Sequence, residues 1–195
     1  MTLRRYIEPA EQPLSLAEMK VHLKVDDDIT EDDGLINSLI VAATRHVEQI
    51  TGRVLVKQQW QKKLDAFPCN GGAIEIRKPP VIAIDQIEFT DLDGVRRTLD
   101  PQCFELDAQS ETAWIVPAYG FIWPTARDQI NAITITFTAG YGVAAVVPED
   151  LKAVIKLLVG NWYENREATT DKLHIYVVPF AVEALLSTYI VMSFV

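Results

Sequence analysis

The pattern of apolar and polar positions is clearest between Thr30 and Gly52. Ile36, Ile40, Ala43, Val47 and Ile50 recur at alternating steps of four and three, the spacing of one helical face. Leu35, Leu39 and Ala42 widen that stripe, while Asn37, Thr44, Arg45, Glu48 and Gln49 fall opposite it. Thr30 is placed to cap the start, Glu31, Asp32 and Asp33 sit at the positive end of the helix dipole, and Gly52 supplies the stop. A shorter helix precedes this one. Ser15 and Glu18 form a capping box after Pro13-Leu14, Leu16, Met19 and Leu23 share a face, and the helix ends near Val25.

From Arg53 to Gly142 the period changes to two. Val56, Trp60 and Leu64 share one strand face, diluted by Gln58 and Lys62, with Lys57, Gln59, Gln61 and Lys63 on the other. Short strands are expected at Ala73–Arg77, Cys103–Asp107 and Ala113–Val116. Ile87 and Phe89 lead into the hairpin signal Asp91-Leu92-Asp93-Gly94, from which Val95–Leu99 returns. Ile133, Ile135 and Phe137, interleaved with Thr134, Thr136 and Thr138, read as a half-buried strand. Helix resumes at Pro148, with Leu151, Val154, Ile155, Leu158 and Trp162 on one face. A last helix spans Pro179 to Tyr189, with Val182, Leu185, Leu186 and Tyr189 inward. The expected fold is α+β: a bundle of about four helices from residues 1–52 and 147–195, with an antiparallel β-sheet or sandwich, residues 53–146, inserted between helices two and three.

Composition narrows the function. The 195 residues are 49% hydrophobic and 23% charged, a globular balance. A net charge of −9 opposes a nucleic-acid grip, which needs clustered Lys and Arg, though not a wall that DNA slides past. The two cysteines, Cys69 and Cys103, make neither a disulfide framework nor a metal spacing, and a reducing setting is expected. The N-terminus carries no apolar run of the signal-peptide kind. The apolar stretch Ile175–Val195 has a spanning length, but Pro179 and Glu183 interrupt it, so docking on protein is expected and not a membrane span.

Candidate chemistry is sparse. The acidic run from Asp26 to Asp33 tempts a calcium reading, but aligning Gly34 to the sixth loop position puts Ile29 at the first. A solvated, helix-capping run is the better reading. His22, His46 and His174 are scattered, Gly140-Tyr141-Gly142 lacks a phosphate-cradle lysine, and no G-x-S-x-G or HExxH motif occurs. No catalytic residue, cofactor or metal ligand is assigned, and the chain is not expected to be an enzyme.

The order of the parts carries a resemblance. LSLAEMKVHLKVD, then DDGLINSLIVAATRHVEQITGR, the strand FTAGYG, VPEDLKAVIKLLVGNWYENRE and VPFAVEALLSTY resemble the tailed-phage head–tail connector proteins, in the larger prophage subfamily with a β insertion. Ile190 departs from the pattern, where a basic residue is expected after the tyrosine. The resemblance implies a structural protein of the virion, present in the host cytoplasm during assembly. It implies a self-assembled ring, usually a dodecamer, beneath the portal, extending the DNA channel without sequence-specific binding and docking the next head-completion or tail protein. Ring closure calls for head-to-tail contacts. Arg45 and Glu48, on the polar side of the long helix, are the expected subunit contact. Tyr189, Ile190, Met192 and Phe194 form an apolar tail expected to be loose in the monomer and to order against a neighbour or the portal. Two other readings stay open: a carbohydrate- or peptide-binding module with Trp60, Trp114 and Trp123 as stacking surfaces, and an enzyme with a site between sheet and helices.

Overall fold

The capping box at Ser15 forms as expected. In the computed structural model, which describes residues 2–165 and 180–191, the first helix, α1, runs Leu16–Leu23. The Ser15 hydroxyl accepts the Glu18 N–H at 3.2 Å, and the Glu18 carboxylate accepts the Ser15 N–H at 2.8 Å. These bonds hold the Glu18 carboxyl below its ordinary pKa. Two compact units are present: Glu11–Val56 with Gly142–Val195, and Met1–Ala10 with Lys57–Tyr141.

The first unit is helical. Helix α2 spans Asp33–Thr51, α3 Glu149–Glu164 and α4 Phe180–Ser187. Ile36, Ile40, Ala43 and Val47 of α2 are buried, as are Leu151, Val154, Ile155 and Leu158 of α3, and the two helices pack on each other with α1 and α4 against both. Each such large side chain contributes roughly 1.5–3 kcal/mol, so the seam outweighs any single cap. Two details at the ends of α2 differ from the sequence reading. The N-cap is Asp32, not Thr30, and its carboxylate accepts the Tyr163 hydroxyl of α3 instead of capping. Gly52 does end the helix, at φ +73°, where a side chain would be strained.

Glu48 corrects the polar-face assignment. It is 6% exposed, and its Oε1 accepts the Leu55 N–H at 3.0 Å. After Gly52 the chain continues through Val54, Leu55 and Val56, all buried, and their backbone needs a buried acceptor. The carboxylate supplies it. Thr44 is buried too, its hydroxyl donating to the Ile40 carbonyl at 2.8 Å. Arg45 and Gln49 do remain exposed.

Lys20 organises the acidic run. Its side chain is buried on α1, and Nζ donates to the carbonyls of Ile29 at 2.7 Å and Asp27 at 3.3 Å while pairing with Asp33 at 2.6 Å. The ammonium therefore fills the centre of the loop that a metal ion would need. Asp26, Asp27, Asp28 and Glu31 face solvent around it.

The second unit is built from two antiparallel sheets. Strands β1 (Thr2–Ile7), β2 (Gln58–Leu64), β4 (Val81–Thr90), β5 (Arg96–Thr98) and β8 (Ile133–Ala139) form one, in the order β1-β2-β8-β4-β5. Strands β3 (Ile74–Ile76), β6 (Phe104–Asp107) and β7 (Ala113–Pro117) form the other, in the order β3-β7-β6. The N-terminal strand overturns the assignment of residues 1–52 wholly to the helical unit. Arg4 pairs with Gln61 and Arg5 with Trp60, so residues 2–7 are an edge strand of the larger sheet. Its two arginines and exposed pattern hide the strand period.

Central strand β8 is buried on both faces, not half-buried. Ile133, Ile135 and Phe137 are fully enclosed, and Thr134 and Thr138 nearly so. The threonine face is a polar ladder: the Thr138 hydroxyl donates to Asp85 at 2.8 Å, and Gln61 Nε2 donates to Thr136 at 3.3 Å. The Asp91–Gly94 turn closes with the Gly94 N–H on the Asp91 carbonyl at 3.0 Å, Gly94 at φ +83°. On β2, Lys62 is 4% exposed, and its ammonium donates to the Glu75 carbonyl in β3. The lysine that dilutes the apolar face thus ends on a backbone acceptor of the second sheet.

Two outcomes follow from these buried charges. Replacing Glu48 with Ala strands the Leu55 N–H and should cost ~1–3 kcal/mol in urea unfolding, whereas Glu48→Gln, which keeps an acceptor, should cost clearly less. For Lys62, burial pushes the ammonium pKa down from its ordinary 10.5. Between the lowered value and 10.5 the unfolded chain binds the proton that the folded chain releases, so stability gained from this residue rises with pH across that window. Lys62→Met removes this contribution, and unfolding measured at stepped alkaline pH should show wild type gaining on the variant as pH rises.

Candidate assembly surfaces

The residues expected at a subunit contact have unlike surroundings. Arg45 is exposed on α2, but Glu48, one turn further on, is buried against its own chain and cannot serve as an exposed contact charge. Tyr189 is tied to the protomer. Its carbonyl accepts Arg53 Nε at 2.7 Å, its hydroxyl donates to Asp150 at 3.1 Å, and the Arg53 guanidinium lies 6.0 Å from its ring centroid. The Val191 N–H donates to the Thr51 carbonyl at 3.0 Å, one of the carbonyls that the end of α2 leaves open. Residues 189–191 are therefore held on the end of α2, with Ile190 partly exposed between them. Met192 and Phe194 lie outside the described residues.

Trp60, Trp114 and Trp123 are not presented together. Trp123 is buried, stacked on Phe67 with ring centroids 5.1 Å apart, and its indole N–H donates to the Gly72 carbonyl at 2.8 Å. Two cations lie over the Trp60 ring, Lys78 Nζ at 4.8 Å and Arg5 at 5.3 Å from its centroid. Trp114 is the exposed one of the three. Beside Trp123 an open recess of about 380 Å³ is lined by Phe67, Pro68, Asn70, Ile122 and Pro124, with no carboxylate or histidine in its wall. It offers no acid–base pair. His46 packs edge-on to Trp162 at 6.0 Å, and His174 lies outside the described residues. Among the described residues, no three His, Cys, Asp or Glu side chains could hold a metal ion, and no helix is long and apolar enough to cross a membrane.

Two exposed features escaped the sequence reading. One is the margin of the larger sheet formed by β1 and β2, where Leu3, Tyr6 and Ile7 are exposed beside Arg4 and Lys63. The other is the connection from β7 to β8, which puts Tyr119 fully in solvent and leaves Phe121, Ile122 and Ile130 exposed, while Trp123 anchors its middle. Aromatic and aliphatic residues on either side of Gly120 were the available signal for the second. For the first, the alternation of Leu3, Arg5 and Ile7 was the available signal, masked by arginine.

Comparison with known proteins bears on these surfaces. The family model described as phage gp6-like head–tail connector protein matches residues 13–91. No curated protein matches the sequence. Among solved structures, a chain in the neck of an empty gene transfer agent (GTA) particle, computed with C6 symmetry, superposes with a TM-score of 0.83. A chain of the native GTA virion gives 0.81, and one in the neck of the native GTA particle, computed with C12 symmetry, gives 0.78. All three are 23% identical in sequence, with 100% of this chain and 98% of theirs covered. The connector resemblance read from the sequence therefore stands: residues 13–91 match the phage gp6-like head–tail connector family, and the chain as a whole shares the α+β fold of a GTA neck protein.

Proposed function

We propose that this protein is a structural head–tail connector of a phage or a phage-like particle, acting as one subunit of a neck ring. The observation that carries the reading is the pairing of two comparisons: the connector family over residues 13–91, and a full-length fold match to chains in neck structures computed with C6 and C12 symmetry. A ring of copies beneath the portal would extend the DNA channel and offer a platform to the next head-completion or tail protein. The net charge of −9 suits such a conduit, since an acidic wall repels the phosphate backbone. A carbohydrate- or peptide-binding module is not favoured, because Trp123 is packed inside and Trp60 is covered by cations. The enzyme reading has no support from the recess beside Trp123.

Within this reading, Arg45 and Ile190 remain candidate contacts, and so do Met192 and Phe194. Glu48 does not, because its charge serves the fold. The hold on Tyr189–Val191 moves any portal-seeking tail to residues 192–195.

Native mass spectrometry of the purified 21.9 kDa chain, alone and with purified portal, should show a closed multiple of the subunit mass in at least one of the two samples. Monomer in both would refute the ring. Deleting residues 192–195 should leave the melting temperature within about 2 °C but remove stable binding to the portal. Arg45→Glu should weaken assembly with the same small effect on melting. A variant that binds the portal as wild type does would remove its residue from the contact.

A further inference from the structure

We propose that the β1–β2 margin of the larger sheet is the surface on which a second copy of this chain docks, through its loop of residues 26–31. This rests on the ring reading and deepens it. Among the described residues β1 pairs only with β2, so its outer backbone groups form an open edge, a template for a partner unless blunted. The opposite edge is blunted. β5 has three residues, and its Arg96 and Arg97 are paired with Glu88 and Asp91.

The charge at the open margin differs. Arg4 is exposed and donates to the side-chain oxygen of Gln61 at 3.1 Å, a neutral partner. Lys63 lies opposite Thr2 in the register, and Lys57 is exposed just before β2. Among the described residues none of these three cations has a carboxylate partner. Leu3, Tyr6 and Ile7 are exposed along the same strand, with Leu3 opposite Lys62 and Ile7 opposite Gln59 in the register, and Glu8 beyond them is paired with Arg5.

The loop of residues 26–31 is the chemical complement. Lys20 satisfies its backbone and Asp33, which leaves Asp26, Asp27, Asp28 and Glu31 in solvent without a cation among the described residues. Ile29 is exposed at the centre of these carboxylates. One surface is apolar within a basic frame, and the other is apolar within an acidic frame. Such pairs give both burial and register. On a chain with 27 acidic and 18 basic residues, these cations meet an excess of carboxylates on a second copy. Because margin and loop are different patches, their contact is head-to-tail, the type that builds rings.

The test uses two charge-reversed chains: Arg4→Glu with Lys63→Glu, and Asp26→Lys with Asp28→Lys. Self-association is read by sedimentation velocity at low salt, and where the free chain is monomeric, by copies bound to purified portal rings. Each variant alone should lose self-association by at least roughly tenfold, and added salt should weaken wild type. An equimolar mixture of the two should recover it, because alternating copies again oppose acid to base at every contact. Circular dichroism melts check folding, and if a reversed chain is misfolded, Arg4→Gln with Asp26→Asn must still weaken association. Assembly that ignores both reversals, or a mixture that fails to recover, overturns this surface and leaves the ring standing. A wild-type chain that is monomeric in both settings overturns the ring reading with it.

Discussion

The end of α2 is the tie on which the helical unit depends. A helix leaves its last carbonyls without partners, and here they are used to hold other parts of the chain. Gly52 turns the backbone through a left-handed residue, the Leu55 N–H returns to Glu48 one turn back, and the Thr51 carbonyl takes the Val191 N–H. Arg53 then captures the Tyr189 carbonyl and lies near its ring. A segment in the first third of the sequence is thus fastened to residues 189–191. The α2–α3 seam supplies the larger free energy, but these bonds decide how the chain enters and leaves the bundle.

Three buried charges show a common solution. Lys20, Glu48 and Lys62 each sit on the inner side of an element, and each ends on a backbone group: the carbonyls of Asp27 and Ile29, the Leu55 N–H, and the Glu75 carbonyl. Irregular segments carry backbone groups that no helix or strand satisfies, and burying one without a partner is expensive. A long charged side chain reaches such a group where the neighbouring backbone cannot. The charge is retained because the loop or edge strand beside it needs a donor or acceptor, which explains why these residues interrupt otherwise apolar faces.

Such use of charge inside the fold has a consequence at the surface. Charges that serve the fold are unavailable for assembly, so contact surfaces are drawn from what remains. Glu48 belongs to the first group, whereas Arg45 is exposed on α2. The acidic loop is divided: Asp33 is engaged by Lys20, while its outer carboxylates stay in water. That division leaves the loop tied to Lys20 at its centre and charged at its rim.

The α+β class, the capping box at Ser15, the stop at Gly52, the Asp91–Gly94 turn and the run of strands after Arg53 were all legible in the sequence. They depend on residues a few positions apart, where spacing and conformational preference act directly. The order of those parts also carried the connector resemblance. What the sequence left open depends on partners far along the chain. Residues 2–7 become a strand because residues 59–63 supply their hydrogen bonds, and Thr134 and Thr138 are buried because β2 and β4 flank them. Glu48 turns inward because Leu55 arrives beside it, and the cations of the β1–β2 margin share one surface only after those strands pair. Periodicity reports which face of an element is apolar. Only the tertiary structure decides which polar group on that face has met a backbone partner.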